Sequence, residues 1–149
     1  IHLLIIGPDE ENIKQQVERI CSKHLENIHF MDFTDEPEKG PIKMLNLVKL
    51  KDKAQYQDGR ESDISGLEAY MIYGKEVVEH LEKVGAKLIF SGVVDRLMIG
   101  EADDMWDLVA IAEYPNRKAM LEMIMDPAYT ETAKHREAAI EGQLNIEVL

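Results

Sequence analysis

Asn46, Asp107, Glu113 and Asn145 stand inside segments that otherwise carry the apolar pattern of half-buried strands, and a polar side chain on such a strand needs a partner. Chemistry would use Asn46 as a hydrogen-bond donor to a bound carbonyl or enolate, and Asp107 or Glu113 as a base whose pKa burial raises. Structure alone would use the same residues as strand-edge or interface partners for Arg96, Arg117 or Arg136. His135, with Arg136 beside it on the last helix, is the residue best suited to moving a proton at neutral pH. A histidine on an exposed helix flank is the plainer alternative.

Gly74 interrupts a stripe of helical spacing formed by Leu67, Tyr70, Met71, Val77, Val78, Leu81 and Val84. A glycine there costs about 1 kcal/mol relative to alanine, so either a strand backbone comes close or the missing side chain leaves a cleft beside Tyr70 and Tyr73. Tyr73 and His80 sit on the flank of that stripe, where each can turn an apolar body inward and a polar tip to a cavity. Trp106 either walls an aromatic pocket or caps the core. Met120, Met123 and Met125, with Met71 and Met98 elsewhere, suit an adaptable core or a promiscuous apolar pocket. The candidate site is therefore His135 and Asn46 for catalysis, with Tyr70, Tyr73, Gly74, Trp106, Met123 and Arg136 around a small apolar or aromatic ligand.

Other chemistries find less support. His2, His24, His29, His80 and His135 are scattered without ligand spacing, so no metal and no cofactor is expected. Gly7-Pro8 is a lone glycine before a helix and no phosphate cradle, and Ser91-Gly92 sits where a strand bulge explains it better than a nucleophile elbow. Lys and Arg number 17 against 29 Asp and Glu, a formal charge of -12, and basic residues alternate with acids. Nucleic acid and anionic membranes are poor partners for such a surface. No apolar run approaches the roughly 20 residues of a bilayer span. The single cysteine, Cys21, forms no internal disulfide and reads as a small buried hydrophobe, and the opening residues lack a signal-peptide layout, so a cytoplasmic location is expected.

The elements that must position these residues follow from period and punctuation. Residues 1–33 read as β-α-β, with Ile13, Val17, Ile20, Cys21 and His24 on one helix face, and residues 34–41 as a linker. The expected division is a β-α-β extension over residues 1–40 and one domain over residues 41–149. Residues 42–50 predict a strand covered on both faces. Ser65 with Glu68 makes a capping box for a helix that closes at Gly85. Residues 86–99 predict a long strand with a bulge at Ser91-Gly92, and residues 106–114 another with Trp106, Leu108, Ala110, Ala112 and Tyr114 on one face. Pro115-Asn116 and Asp126-Pro127 open two helices, the second running to Gly142, and residues 143–149 close as a strand. From residue 42 the order is β-α-β-β-α-β with its second helix broken, an α+β, ferredoxin-like arrangement.

Met44-Leu45-Asn46-Leu47, Ala69-Tyr70 with Tyr73-Gly74, Trp106-Asp107, Glu113-Tyr114-Pro115, Asp126-Pro127-Ala128-Tyr129 and His135-Arg136 fall in an order that resembles the domain of unknown function 1330 family, over about residues 42 to 149. That resemblance implies the dimeric α/β barrel type of fold, in which two ferredoxin-like sheets pack face to face, and hence a homodimer. It also implies kinship with antibiotic-biosynthesis monooxygenases and related small cofactor-free enzymes, without supplying a reaction. The expected function is small-molecule binding, with cofactor-free chemistry as one form of it. The alternative is a non-catalytic interaction or sensing domain. Haem binding, known in some relatives of the fold, would rest on His135 alone as axial ligand.

Overall fold

The computed structural model describes residues 2–3, 29–30 and 36–148. Strands β1 (His2–Leu3) and β2 (His29–Phe30) pair in parallel. The helix expected between them, with Cys21 and His24, lies outside the described residues.

Four longer strands make an antiparallel sheet: β3 (Ile42–Leu50), β4 (Lys87–Val93), β5 (Leu108–Tyr114) and β6 (Ile140–Val148), in the order β4-β5-β3-β6. Helix α1 (Gly66–Lys83) connects β3 to β4, and α2 (Arg117–Met125) with α3 (Pro127–Ala139) connects β5 to β6. This is the ferredoxin-like α+β fold expected from residue 42 onward.

The helix starts form as their caps dictate. The Ser65 hydroxyl accepts from the Glu68 amide at 3.1 Å while the Glu68 carboxylate accepts from the Ser65 amide at 2.7 Å, completing the capping box. Asn116 accepts from the Ala119 amide and Asp126 from that of Ala128, with Pro127 in the first turn. Helix α1 packs chiefly on α3. Gly66 makes that approach feasible, because a Cβ there would fall 2.2 Å from the Lys51 carbonyl oxygen and 2.8 Å from that of Ala139.

Three boundaries differ from expectation. Strand β4 ends at Val93 because its partner β5 begins at Leu108, opposite it; residues 94–99 have no strand to pair with. Its register shift falls between Leu88 and Phe90 rather than at Ser91-Gly92. Trp106 precedes β5, and α3 stops at Ala139, where Ile140 turns extended and pairs with Leu50.

The main core gathers Ile42, Met44, Val77, Leu81, Ala112, Tyr114, Met120, Met123, Tyr129 and Ala133 between sheet and helices. A smaller cluster of Ala54, Ala69, Ala138 and Ala139 sits where α1 meets α3, flanked by Tyr56, Tyr70 and Ile140. The expected stripe on α1 is too wide. Leu67, Met71 and Val78 are exposed, and Ala69 and Tyr73 take the inward places. Met71, Met98 and Met125 likewise lie at the surface, so the adaptable methionine core reduces to Met44, Met120 and Met123.

Candidate functional site

Alternation along the strands sorts their side chains by face. Ile42, Met44, Asn46 and Val48 of β3 face the helices, as do their partners Tyr114, Ala112, Ala110 and Leu108 of β5. Register then places Gln143, Asn145 and Glu147 of β6 on the same side. A polar seam therefore runs under α3, inside an otherwise apolar layer.

The seam is connected. Gln143 donates from Nε2 to Asn46 Oδ1 at 2.8 Å, Asn46 donates from Nδ2 to the Met44 carbonyl at 3.1 Å, and Arg136 donates from Nη1 to Gln143 Oε1 at 3.1 Å. The Arg136 guanidinium stands 5.9 Å from the Tyr73 ring centroid. Tyr73 lies 5.5 Å from Tyr70, ring to ring, and its hydroxyl lies 3.3 Å from that of Tyr129. Burial holds the phenols of Tyr70, Tyr73 and Tyr114 above their ordinary value, so they are hydrogen-bonding alcohols and not phenolates.

Arg136 is the unusual member. Among the described residues no carboxylate pairs with it, its Nε is buried without an acceptor, and Asn145 Oδ1 is buried without a donor. Burial works against the guanidinium charge, while Tyr129, Tyr73 and, at longer range, Glu137 hold it above the ordinary value. Arg117, by contrast, forms a forked pair with Glu147, from Nη2 at 2.8 Å and from Nε at 2.9 Å. One cation is paired as buried cations usually are, and the other is held by the neutral Gln143 and faced by the Tyr73 ring.

His135 points elsewhere. Successive residues on a helix stand about 100° apart, so Arg136 faces the sheet and His135 faces α1. The Tyr56 hydroxyl lies 2.7 Å from His135 Nδ1, and Glu76 Oε1 lies 3.9 Å from Nε2. Thr132 donates to the other Glu76 oxygen at 3.1 Å and lies 3.0 Å from His80 Nε2. Because that hydroxyl proton goes to Glu76, His80 donates to Thr132. Tyr56, His135, Glu76, Thr132 and His80 thus form one chain of polar contacts along the groove between α1 and α3.

The structure brings Asn46, Tyr70, Tyr73 and Arg136 together, sets His135 on the far side of α3, and leaves Trp106 half-buried with no hydrogen bond or ring contact to the seam. Met123 is buried in the core, and it also lines an open cleft of about 540 Å3 with His80, Lys83, Val84, Glu122, Met125, Asp126 and Pro127. Nothing lies within 4 Å of a Cβ built on Gly74, so no backbone presses on the helix there. Asp107 accepts from the Leu50 amide at 2.7 Å and pairs with Lys49. The expectation of a raised pKa for Glu113 is overturned: the Lys87 ammonium, hydrogen-bonded to it, and Lys43 hold it below its ordinary value. Gln143, Tyr56, Glu76 and Thr132 were not singled out by sequence, and Tyr129 entered only through the family resemblance. Only Gln143, a polar residue in period with Asn145 on the last strand, carried a readable signal.

No cluster of three or more His, Cys, Asp or Glu side chains converges as a metal site among the described residues. Nor is any helix among them long and apolar enough to cross a membrane.

The chain resembles solved structures of one protein of unknown function from Rhodopseudomonas palustris, RPA0582. The methylated form is 45% identical, covers 78% of this chain and 84% of that one, and superposes with a TM-score of 0.69. A second structure is 42% identical over 78% and 86%, with a TM-score of 0.68. No curated protein matches the chain. The family model described as domain of unknown function (DUF1330) matches residues 59–147, more than half of the sequence, and the chain belongs to that family.

Proposed function

We propose that this protein is a homodimeric small-molecule-binding protein whose ligand lies in the polar seam between α1, α3 and the sheet. The observation that carries this reading is Arg136, a guanidinium between helix and sheet with Nε unpartnered and no carboxylate ion-paired or hydrogen-bonded to it among the described residues. A lone buried charge is costly unless something completes it. Tyr70, Tyr73 and Tyr129 supply aromatic walls with hydroxyl tips, and Asn46 supplies an amide already oriented by Gln143.

The dimer is supported by the sheet's other face. Leu45, Leu47, Val109, Ile111, Leu144, Ile146 and Val148 point away from the helices, and Phe90 on β4 continues the patch. Phe90 is 53% exposed, Leu144 41% and Val148 43%. A contiguous apolar sheet face of this kind marks an interaction surface, and a second copy presents its equal.

Catalysis extends the proposal, with His135 as the group that gives and takes a proton and Tyr56 at Nδ1 and Glu76 near Nε2 as the groups that orient its ring. Thermal shift of the purified protein against phenols, quinones and small acids tests the binding, because a ligand of the folded state alone raises the melting point by mass action. Shifts that disappear in Arg136→Lys support the seam as the site. No shift from any compound leaves the interaction-domain alternative, which the open apolar face favours. For catalysis, His135→Gln and Asn46→Ala are expected to abolish turnover of a ligand so found without loss of folding; unchanged turnover contradicts the assignment.

A further inference from the structure

The polar chain between α1 and α3 ends on His80, and His80 also lines the open cleft of about 540 Å3 beside the junction of α2 and α3. That volume falls in the ordinary range of small-molecule sites, about 300–1,000 Å3. Two contacts orient the ring: Nε2 donates to the Thr132 hydroxyl at 3.0 Å, and the Tyr129 ring stands edge-on at 5.6 Å. With its hydrogen on Nε2, the neutral imidazole carries a bare lone pair on Nδ1. Nδ1 makes no hydrogen bond among the described residues and is not one of the buried unpartnered atoms, so it is the nitrogen left for a molecule in the cleft.

Behind the ring, the Thr132 hydroxyl donates in turn to Glu76 at 3.1 Å. When Nδ1 takes a proton, the imidazolium charge is therefore met by a hydroxyl polarised by a carboxylate. The rest of the cleft selects what can approach. Val84, Met123, Met125 and Pro127 give it an apolar wall, and the carboxylates of Glu122 and Asp126 disfavour an anion. Lys83 hydrogen-bonds to Asp126, and its ammonium has further donors for a neutral oxygen.

We infer that His80 is a general base, and that the cleft takes a small, neutral carbonyl compound with an apolar body and an acidic C–H beside the carbonyl. Nδ1 takes that proton, and the C–H electron pair passes into an enolate whose charge gathers on the oxygen facing Lys83. The imidazolium then returns a proton to carbon or to oxygen, so the step is an isomerisation that consumes no second reactant. Thr132 is a positioning residue that acts through His80. This site does not depend on a ligand beside Arg136.

The step can be read as hydrogen exchange of 2-tetralone in heavy water, followed by proton NMR. The protein is expected to exchange the C–H beside the carbonyl faster than buffer does, and His80→Gln to lower kcat/KM roughly a hundredfold, the low end for a positioned base. Thr132→Val should lower kcat about tenfold with KM unchanged, the worth of one hydrogen bond made in the transition state, and Thr132→Ser should restore it. A threonine of purely structural role would leave the rate untouched in every folded variant, and circular dichroism melts establish which variants are folded. Long-range proton–nitrogen NMR correlations of the unsubstituted protein need no variant: neutral His80 is expected to hold its hydrogen on Nε2. Exchange no faster than in buffer, exchange equally fast in folded His80→Gln, or a hydrogen on Nδ1 overturns the inference.

Discussion

Along β6 the residues under the helices are Gln143, Asn145 and Glu147, while those on the helix-free side are Leu144, Ile146 and Val148. A sheet covered on one side ordinarily shows the reverse, apolar inward and polar toward water. Both faces are therefore incomplete in one isolated chain. The open face exposes apolar surface that needs a cover, and the covered face holds polar atoms that need partners. Glu147 has its partner in Arg117; Asn145 Oδ1 and Arg136 Nε have none. The proposed assembly and the proposed ligand binding thus fall on the two sides of one strand.

Breaking the open face should have the largest effect. Ile146→Lys places an unpaired charge in the proposed dimer interface and should raise the dimer dissociation constant by at least roughly a hundredfold. Sedimentation equilibrium reads this directly, and an unchanged assembly mass would mean that this face is not the interface.

Next comes the paired cation on the covered face. Removing one member of a buried ion pair costs about 3–5 kcal/mol, so Arg117→Met should lower the urea midpoint sharply. The hydrogen bonds from Arg117 hold the Glu147 carboxyl below its ordinary value of 4.5. A depressed carboxyl stabilises the fold fully above the unfolded value and loses that contribution as pH falls through the folded one. The urea midpoint should therefore decline below about pH 4.5, and Glu147→Gln should flatten that part of the profile.

The smallest effect sharpens the reading of α1. A Cβ on Gly74 meets nothing within 4 Å, so Gly74→Ala should stabilise by about 1 kcal/mol, or about 2–4 °C in melting temperature. A loss of stability would point to a contact on that flank.

Helix starts and chain topology were legible because caps and period act locally. Ser65 with Glu68, Asn116, and Asp126 with Pro127 all cap where their residue types suggest. The end of β4 was not legible, since Val94, Leu97, Met98 and Ile99 continue its apolar character around Asp95 and Arg96, and only the start of β5 decides where pairing stops. The inward face of α1 was misjudged because the helix is apolar around more than half its circumference, and small Ala69 and long Tyr73 win the interior through their contacts with α3 and the sheet. Asn46 and Asn145 were legible as polar interruptions of strands. The link from Asn46 to Arg136 was not, because it depends on Gln143, which reads in sequence as the polar start of a strand. His135 and Arg136 are neighbours in the chain and face opposite partners, which spacing could have separated and motif matching could not.

A high-resolution crystal structure of the protein as purified, inspected between Arg136 Nε and Asn145 Oδ1, tests the central claim most directly. Expected there is density for a ligand in contact with the Arg136 guanidinium, in chains packed with their apolar sheet faces together. A carboxylate of the chain itself folded onto Arg136, in a seam closed by side chains, would contradict it.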